Sequence, residues 1–214
     1  MLTFLDPHQI GYSSQLVKDI YEFGLLPGKR RGWCYPFDYS FIANEMVKVE
    51  KVAGKIIDIG AGPGAIHGYL EDRYKVNIVG IDNGRWPQDY VDVQANVIKV
   101  MNEENCWDII ISASAFEHNS MTEHKKLLEH SKKILKPGGI LIVTSSVSNK
   151  NARENNQTNL SKEEVEDIYK DKFNNDYNTI LERWKKVEGV VKGYEEKYKT
   201  TTVGYISFGY VYKK

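Results

Sequence analysis

Cysteine is nearly absent from the 214 residues: Cys34 and Cys106 are the only two, and they lie far apart. Neither belongs to a CxxC pair or a His/Cys cluster, so a disulfide-stapled scaffold and a thiolate metal module are both excluded. Reduced thiols in a reducing compartment are the expectation, with neither cysteine a strong nucleophile and no metal site. A surplus of one charge is missing too, because 29 Lys and Arg balance 29 Asp and Glu. Such a chain lacks the basic excess with which nucleic-acid binders neutralise phosphate. No apolar run approaches the roughly 20 residues of a membrane span, and MLTFLDPHQIGYSSQ has no basic segment followed by an apolar one. The expected protein is cytoplasmic, with neither nucleic acid nor membrane as partner; its oligomeric state is open. Repeats and low-complexity blocks are lacking, although Asn149 to Asn159 is polar enough for a mobile loop.

What is present begins with KIIDIGAGPG, Lys55 to Gly64. Ile56, Ile57 and Ile59 form a short β-branched run suited to a strand buried on both faces of a parallel sheet. The run breaks into Gly60, Ala61, Gly62 and Gly64, where the backbone can take positive φ and let a ligand lie against the main chain. A helix over about Ala65 to Tyr74 then directs its amide-rich N-terminus into the same space. These features together predict a cofactor cradle.

VNIVGID, Val76 to Asp82, reads as a second apolar strand ending on an acid. Asp82 stands some twenty residues beyond the turn, where a carboxylate can accept both hydroxyls of an adenosine ribose, with Asn83 beside it. Only NGRWPQD separates Asp82 from the next short strand near Tyr90 to Ala95, less than the dozen or so residues of a helical crossover. A missing crossover helix is therefore expected. It leaves one sheet edge thinly covered, by the N-terminal segment if by anything, and brings Arg85 or Trp86 toward the adenine. CWDIIISASAFEH predicts a strand from near Trp107 into a Ser/Ala-rich loop at the carboxyl end of the sheet, where open α/β sheets bind ligands. Ser112, Ser114, Glu117 and His118 are expected to face the site. Ser120-x-x-Glu123 is a capping box for a helix through about Leu135, with Leu127, Leu128, Ile134 and Leu135 buried. KPGG stops that helix, and ILIVTSSV is the next central strand.

These residues resemble the class I S-adenosylmethionine-dependent methyltransferases, of the small-molecule type, over roughly Lys55 to Val147. DIGAGPG resembles the family's acidic glycine-rich motif, Asp82 its ribose-binding acid, and DIIISASAFEH and LLEHSKKILKPGGILIV the segments around its fourth and fifth strands. The resemblance implies S-adenosylmethionine as cofactor, held by Asp58, Gly60, Ala61, Gly62, Gly64, Asp82, Asn83, Asn96, Val97 and Ser112. Asn96 stands where many members carry an aspartate for the adenine amino group, and an amide oxygen can also accept there. The implied fold is a Rossmann-like, doubly wound α/β sheet, mostly parallel, with an antiparallel C-terminal strand inserted between two parallel ones. N-terminal helices precede it and a helical insertion interrupts it before the last strand. One domain is expected: an N-terminal helical segment or lid over 1–50, a cofactor-binding core over 51–148, a helical cap or insertion over 149–200, and a terminal strand over 201–214. Gly60, Gly62 and Ala65 also satisfy a dinucleotide fingerprint. Asp58 argues against it, because a carboxylate two residues before the first glycine opposes a pyrophosphate but suits the ammonium end of a methionine moiety.

The flanks are less specific. Helical patterns cover Ser13 to Phe23 and Tyr39 to Val49, separated by GLLPGKRRGWCYPFDY. Lys29, Arg30 and Arg31 among aromatics suit either a lid that touches an anionic substrate or a solvated loop. LSKEEVEDIYKDKF opens with a second capping box and predicts a helix to about Phe173; another starts near Tyr177 with Ile180, Leu181, Trp184, Val187 and Val191 on its apolar side. This region either caps the pocket or covers the sheet. TTVGYISFGYVYKK alternates as a terminal strand or hairpin.

A sulfonium methyl is already activated, so the protein must chiefly align an acceptor and exclude water. A neutral oxygen acceptor also needs a base, and His118 is the candidate; alternatively Glu117 and His118 only organise their loop. His67, His124 and His130 are expected to be surface or packing residues. The acceptor is a small molecule, by elimination a hydroxyl of a sugar or metabolite. A catalytically silent binding or scaffold protein of the same fold is the other class.

Overall fold

The computed structural model describes residues 1–10, 35–49, 52–62, 65–84, 91–148, 152–154, 157–186 and 205–214. The predicted helix at Ser13 to Phe23, the Lys29–Arg31 loop, Gly64, Arg85, Trp86, Val187 and Val191 lie outside the described residues.

A seven-stranded sheet organises the molecule. Its strands are β1 (Leu2–Phe4), β2 (Ile56–Ile59), β3 (Ile78–Asp82), β4 (Val93–Gln94), β5 (Trp107–Ala113), β6 (Leu135–Ser148) and β9 (Tyr205–Lys213), in the order β1-β9-β6-β5-β2-β3-β4. Five neighbouring strands, β4 to β6 through β3, β2 and β5, are parallel. Their centres are isoleucine-rich because both faces are covered: Ile56, Ile57, Ile109, Ile110, Ile111 and Ile142 are all buried. β9 runs antiparallel to β6 on one side and to β1 on the other, so it does lie between two strands that run parallel to one another. The outer one is the N-terminal strand. No helical signal marks Leu2–Phe4; three residues suffice because Leu2 and Phe4 both bury their side chains while the backbone pairs with Phe208 to Tyr210. The first strand thus covers the β9 edge, opposite the β4 edge.

Two short helices, at Pro7–Ile10 and Val97–Val100, have no expected counterpart, and the helix expected over Tyr39 to Val49 runs from Tyr35 to Val47. α1 is Pro7–Ile10, α2 is Tyr35–Val47, α3 is Ala65–Tyr74 and α4 is Val97–Val100. α5, Met121–Ile134, begins on a complete Ser120/Glu123 capping box and buries Leu127, Leu128 and Ile134. β6 starts earlier than ILIVTSSV: Leu135 already pairs with Trp107, and the register then jumps to Ile140 opposite Ile109, which places KPGG as an irregularity within the strand. The polar stretch expected to be a mobile loop contains a hairpin, β7 (Ala152–Glu154) against β8 (Gln157–Asn159). α6, Lys162–Tyr169, has the Ser161/Glu164 capping box but stops short of Phe173, because Lys170 turns into the left-handed region at φ 52. A further helix, α7, spans 177–186.

The described part of this insertion covers the sheet edge. Phe173 stacks on Phe4 at 3.7 Å, the Trp184 indole N–H donates to the Leu5 carbonyl at 2.9 Å, and Asn175 both accepts from and donates to the Phe4 backbone. Among the described residues, no helix is long and apolar enough to cross a membrane.

Candidate functional site

The site is built where β2 ends. Gly60 leaves the strand at φ +77 and its N–H donates to the Ile81 carbonyl at 2.7 Å. A Cβ here would sit 2.2 Å from the Ala115 Cβ, so only glycine permits the turn and the loop after β5 to approach so closely. Asp82, at the end of β3, secures the other side: Gly62 N–H donates to its Oδ2 at 2.9 Å and Gly84 N–H to its Oδ1 at 2.6 Å. Each oxygen keeps acceptor capacity for a further donor.

A cavity of about 390 Å³ opens over these residues. Gly60, Ala61, Gly62, Asp82, Asn83, Asn96 and Val97 line it, together with Tyr39, Ser114, Phe116, His118 and Asn119. The described residues therefore bring together eight of the eleven positions named from sequence. Asn96 spends its side-chain oxygen as the N-cap of α4, accepting from Ile98 N–H at 3.0 Å. Ser112 lies below the cavity and is not among its lining residues; its hydroxyl donates to the Ile59 carbonyl at 2.7 Å and ties β5 to β2. Asp58 is likewise beneath the turn. Gly64 is outside the described residues.

Two buried acidic groups adjoin this cavity. Asp58 is 1% exposed, and neither carboxylate oxygen has a hydrogen-bond partner. Burial, with the nearby Asp82 charge second, pushes its carboxyl up to about 7. The other group comes from α2, where Asp38 accepts from the Ser114 hydroxyl at 2.8 Å. Burial pushes Asp38 up to about 8; the Ser114 hydrogen bond opposes the shift and the Glu117 charge adds to it. Glu117 is itself buried and raised, and it accepts from the Ser145 hydroxyl at 2.9 Å. Ser114 holds φ 49 in this network, a conformation costly to a residue with a Cβ and commonly stabilised only at functional sites. Sequence reasoning missed Asp38 as a site residue, whereas Tyr39 is one of the aromatics of the expected lid or substrate contact. The only signal of Asp38 is a position near the start of a helix whose docking cannot be read from its own residues.

Residues 57–143 match the family model described as "Methyltransferase domain". This central segment is a methyltransferase domain. Solved structures agree on the fold. The phosphoethanolamine N-methyltransferase 2 of Haemonchus contortus, in complex with S-adenosyl-L-methionine, superposes with a TM-score of 0.57 at 16% identity over 99% of this chain and 60% of that one. A second structure of that protein, with S-adenosylhomocysteine, covers 58% of its own length, so the chain spans well under two thirds of these longer relatives. The cyclopropane synthase MmaA2 of Mycobacterium tuberculosis gives 0.54 at 18% identity over 99% and 92% of the two chains. A methyltransferase of Archaeoglobus fulgidus gives 0.54 at 13% over 82% and 94%. No curated protein matches the chain.

The residues present fit S-adenosylmethionine. Asp82 retains acceptor capacity for ribose hydroxyls, the glycine turn exposes main chain to the cavity, and the unpartnered Asp58 carboxylate suits a cationic ligand rather than a pyrophosphate. Among the described residues, no group of three or more His, Cys, Asp or Glu could hold a metal ion. Cys106 is only half-buried, and burial raises its thiol, which makes it a poor nucleophile.

Proposed function

We propose that this chain is a cytoplasmic enzyme that methylates a hydroxyl of a small molecule, a sugar or related metabolite. The observation that carries the reading is one cavity lined by the glycine turn, Asp82 and His118 together. When bound, the cofactor supplies an activated methyl on a sulfonium sulfur. Asp82 accepts from the ribose hydroxyls, Asn96 and Val97 border the adenine, and Asp58 faces the amino end of the methionine moiety from beneath the turn. Tyr39, Phe116 and His118 surround the acceptor and exclude water from it. The hydroxyl oxygen of the acceptor gains the methyl as the carbon–sulfur bond breaks, and its proton passes to a ring nitrogen of His118.

The alternation of apolar wall and single polar groups suits a neutral acceptor. Asp38 and Glu117 lie beside the cavity, and their raised carboxyls mark a region of poor charge solvation. Substrate-dependent formation of S-adenosylhomocysteine across a panel of sugars and phenols tests the proposal. On a confirmed acceptor, His118→Ala should lower kcat by about 10²-fold or more. Unchanged kcat removes His118 as the base; cofactor binding without turnover on any acceptor instead supports the silent-scaffold class. NAD is the comparison ligand in calorimetry, and binding of NAD without S-adenosylmethionine overturns the cofactor assignment.

A further inference from the structure

The proposed chemistry leaves several buried titratable side chains unused, and His67 is one of them. His67, on α3, is only 3% exposed, and its ring lies between two carboxylates. Nδ1 is 3.9 Å from Asp58 Oδ2, and Nε2 is 3.5 Å from Glu71 Oε1. The side chains of Asp58, His67 and Glu71 are 1%, 4% and 35% exposed, so the three groups form a graded line from beneath the glycine turn to solvent. Glu71 is fixed in place because its Oε1 also accepts from Ile78 N–H at 2.8 Å.

We propose that His67 is a positioning residue for Asp58, and that the pair couples capture of a cationic methyl donor to release of one proton through Glu71. This rests on the reading of the cavity as the methyl-donor site. In the ligand-free protein the proton resides on the Asp58 carboxyl, because that group has no hydrogen-bond donor of its own and Asp82 is a second acid nearby. Arrival of a ligand carrying an ammonium and a sulfonium charge favours the carboxylate. The proton leaves by way of the imidazole, which accepts at Nδ1 and gives up a proton at Nε2, and then Glu71. The groups acting on this line are all acidic: Asp58 on β2, Glu71 on α3, Asp82 on β3 and Asp92 just before β4. Burial lowers the His67 imidazole, and Glu71 and Asp92 oppose the shift, so the ring is neutral at rest.

Two measurements on the full chain test this, each on wild type, His67→Ala and His67→Gln. The first follows the Asp58 carboxyl carbon by NMR against pH without ligand. Loss of the Nδ1 acceptor in His67→Ala removes a partner of the protonated carboxyl and is expected to move the midpoint downward by about one unit, while the glutamine variant, which retains a polar group, stays nearer wild type. The second is calorimetry with S-adenosylmethionine at pH 7 in buffers of different ionisation enthalpy. Wild type should release about half a proton and His67→Ala about one-tenth, and between pH 6 and 7 affinity should rise by about twofold in the alanine variant against about fivefold in wild type. A residue that merely packed would change affinity without moving the pH at which the proton leaves. An Asp58 midpoint unmoved in both folded variants, or a binding heat independent of buffer from pH 6 to 8, overturns the proposal. Absence of any heat with S-adenosylmethionine overturns the methyl-donor reading instead, and the ligand-free titration still decides the coupling of His67 to Asp58.

Discussion

At the scale of single residues, the site depends on positions where geometry forbids ordinary side chains or burial alters ordinary acidity. Gly60 is the first kind. An alanine there combines φ +77 with a Cβ 2.2 Å from Ala115, so Gly60→Ala should cost about 2–4 kcal/mol in urea unfolding and abolish cofactor binding by calorimetry. Asp38 is the second kind. Its carboxyl rises from 3.8 to about 8 on folding, so between these values the folded state binds more protons than the unfolded chain. Stability therefore falls as pH rises across that window. Asp38→Asn keeps an acceptor for Ser114 and removes the titration. Its unfolding free energy should vary less between pH 5 and 8 than wild type, and at pH 8 the variant should be the more stable of the two. Denaturant midpoints at four pH values across this range check both statements.

At the scale of elements, the site exists because α2 is pressed against β9. Phe41 of α2 lies directly over Gly209, and a Cβ at that glycine would stand 2.4 Å from the aromatic ring. The same helix carries Asp38 to Ser114 and Tyr39 to the cavity wall. Gly209→Ala should therefore destabilise by about 1–3 kcal/mol, read as a lowered guanidinium midpoint. The capping boxes, by contrast, are local. Ser120 and Ser161 satisfy their helix N-termini with residues three positions on, which is why both helix starts are legible in the sequence. α2 offers no such cue to its partner, since its contact surface is complementary to a strand some 170 residues later.

At the scale of the whole molecule, the two ends of the chain close the sheet together. β1 pairs with β9, Met1 N donates to the Val211 carbonyl at 2.7 Å, and Phe4 stacks on Phe173. The insertion thus reaches the sheet through the first strand. Phe4→Ala removes a fully buried ring from this junction and should cost about 3–5 kcal/mol. Equilibrium unfolding followed by Trp184 fluorescence, whose indole is bonded to the Leu5 carbonyl, checks the loss at the junction itself.

The parallel core, the glycine turn and Asp82 were legible in the chain alone, because each is specified by residues close in sequence: β-branched runs, a positive-φ turn, and an acid at a strand end. The antiparallel last strand was legible through the family resemblance. Local pattern also marks α5 and α6, and it places His118 on the loop after β5. What only the tertiary structure decided is which distant groups meet there. Leu2–Phe4 becomes an edge strand through pairing with β9, Asp38 acquires its altered acidity through burial beside Ser114 and Glu117, and His67 enters the site through the packing of α3 on the sheet. Turns and caps arise from short-range sterics and hydrogen bonds, whereas burial and the coupling of charges depend on surfaces that come together only when the sheet is complete.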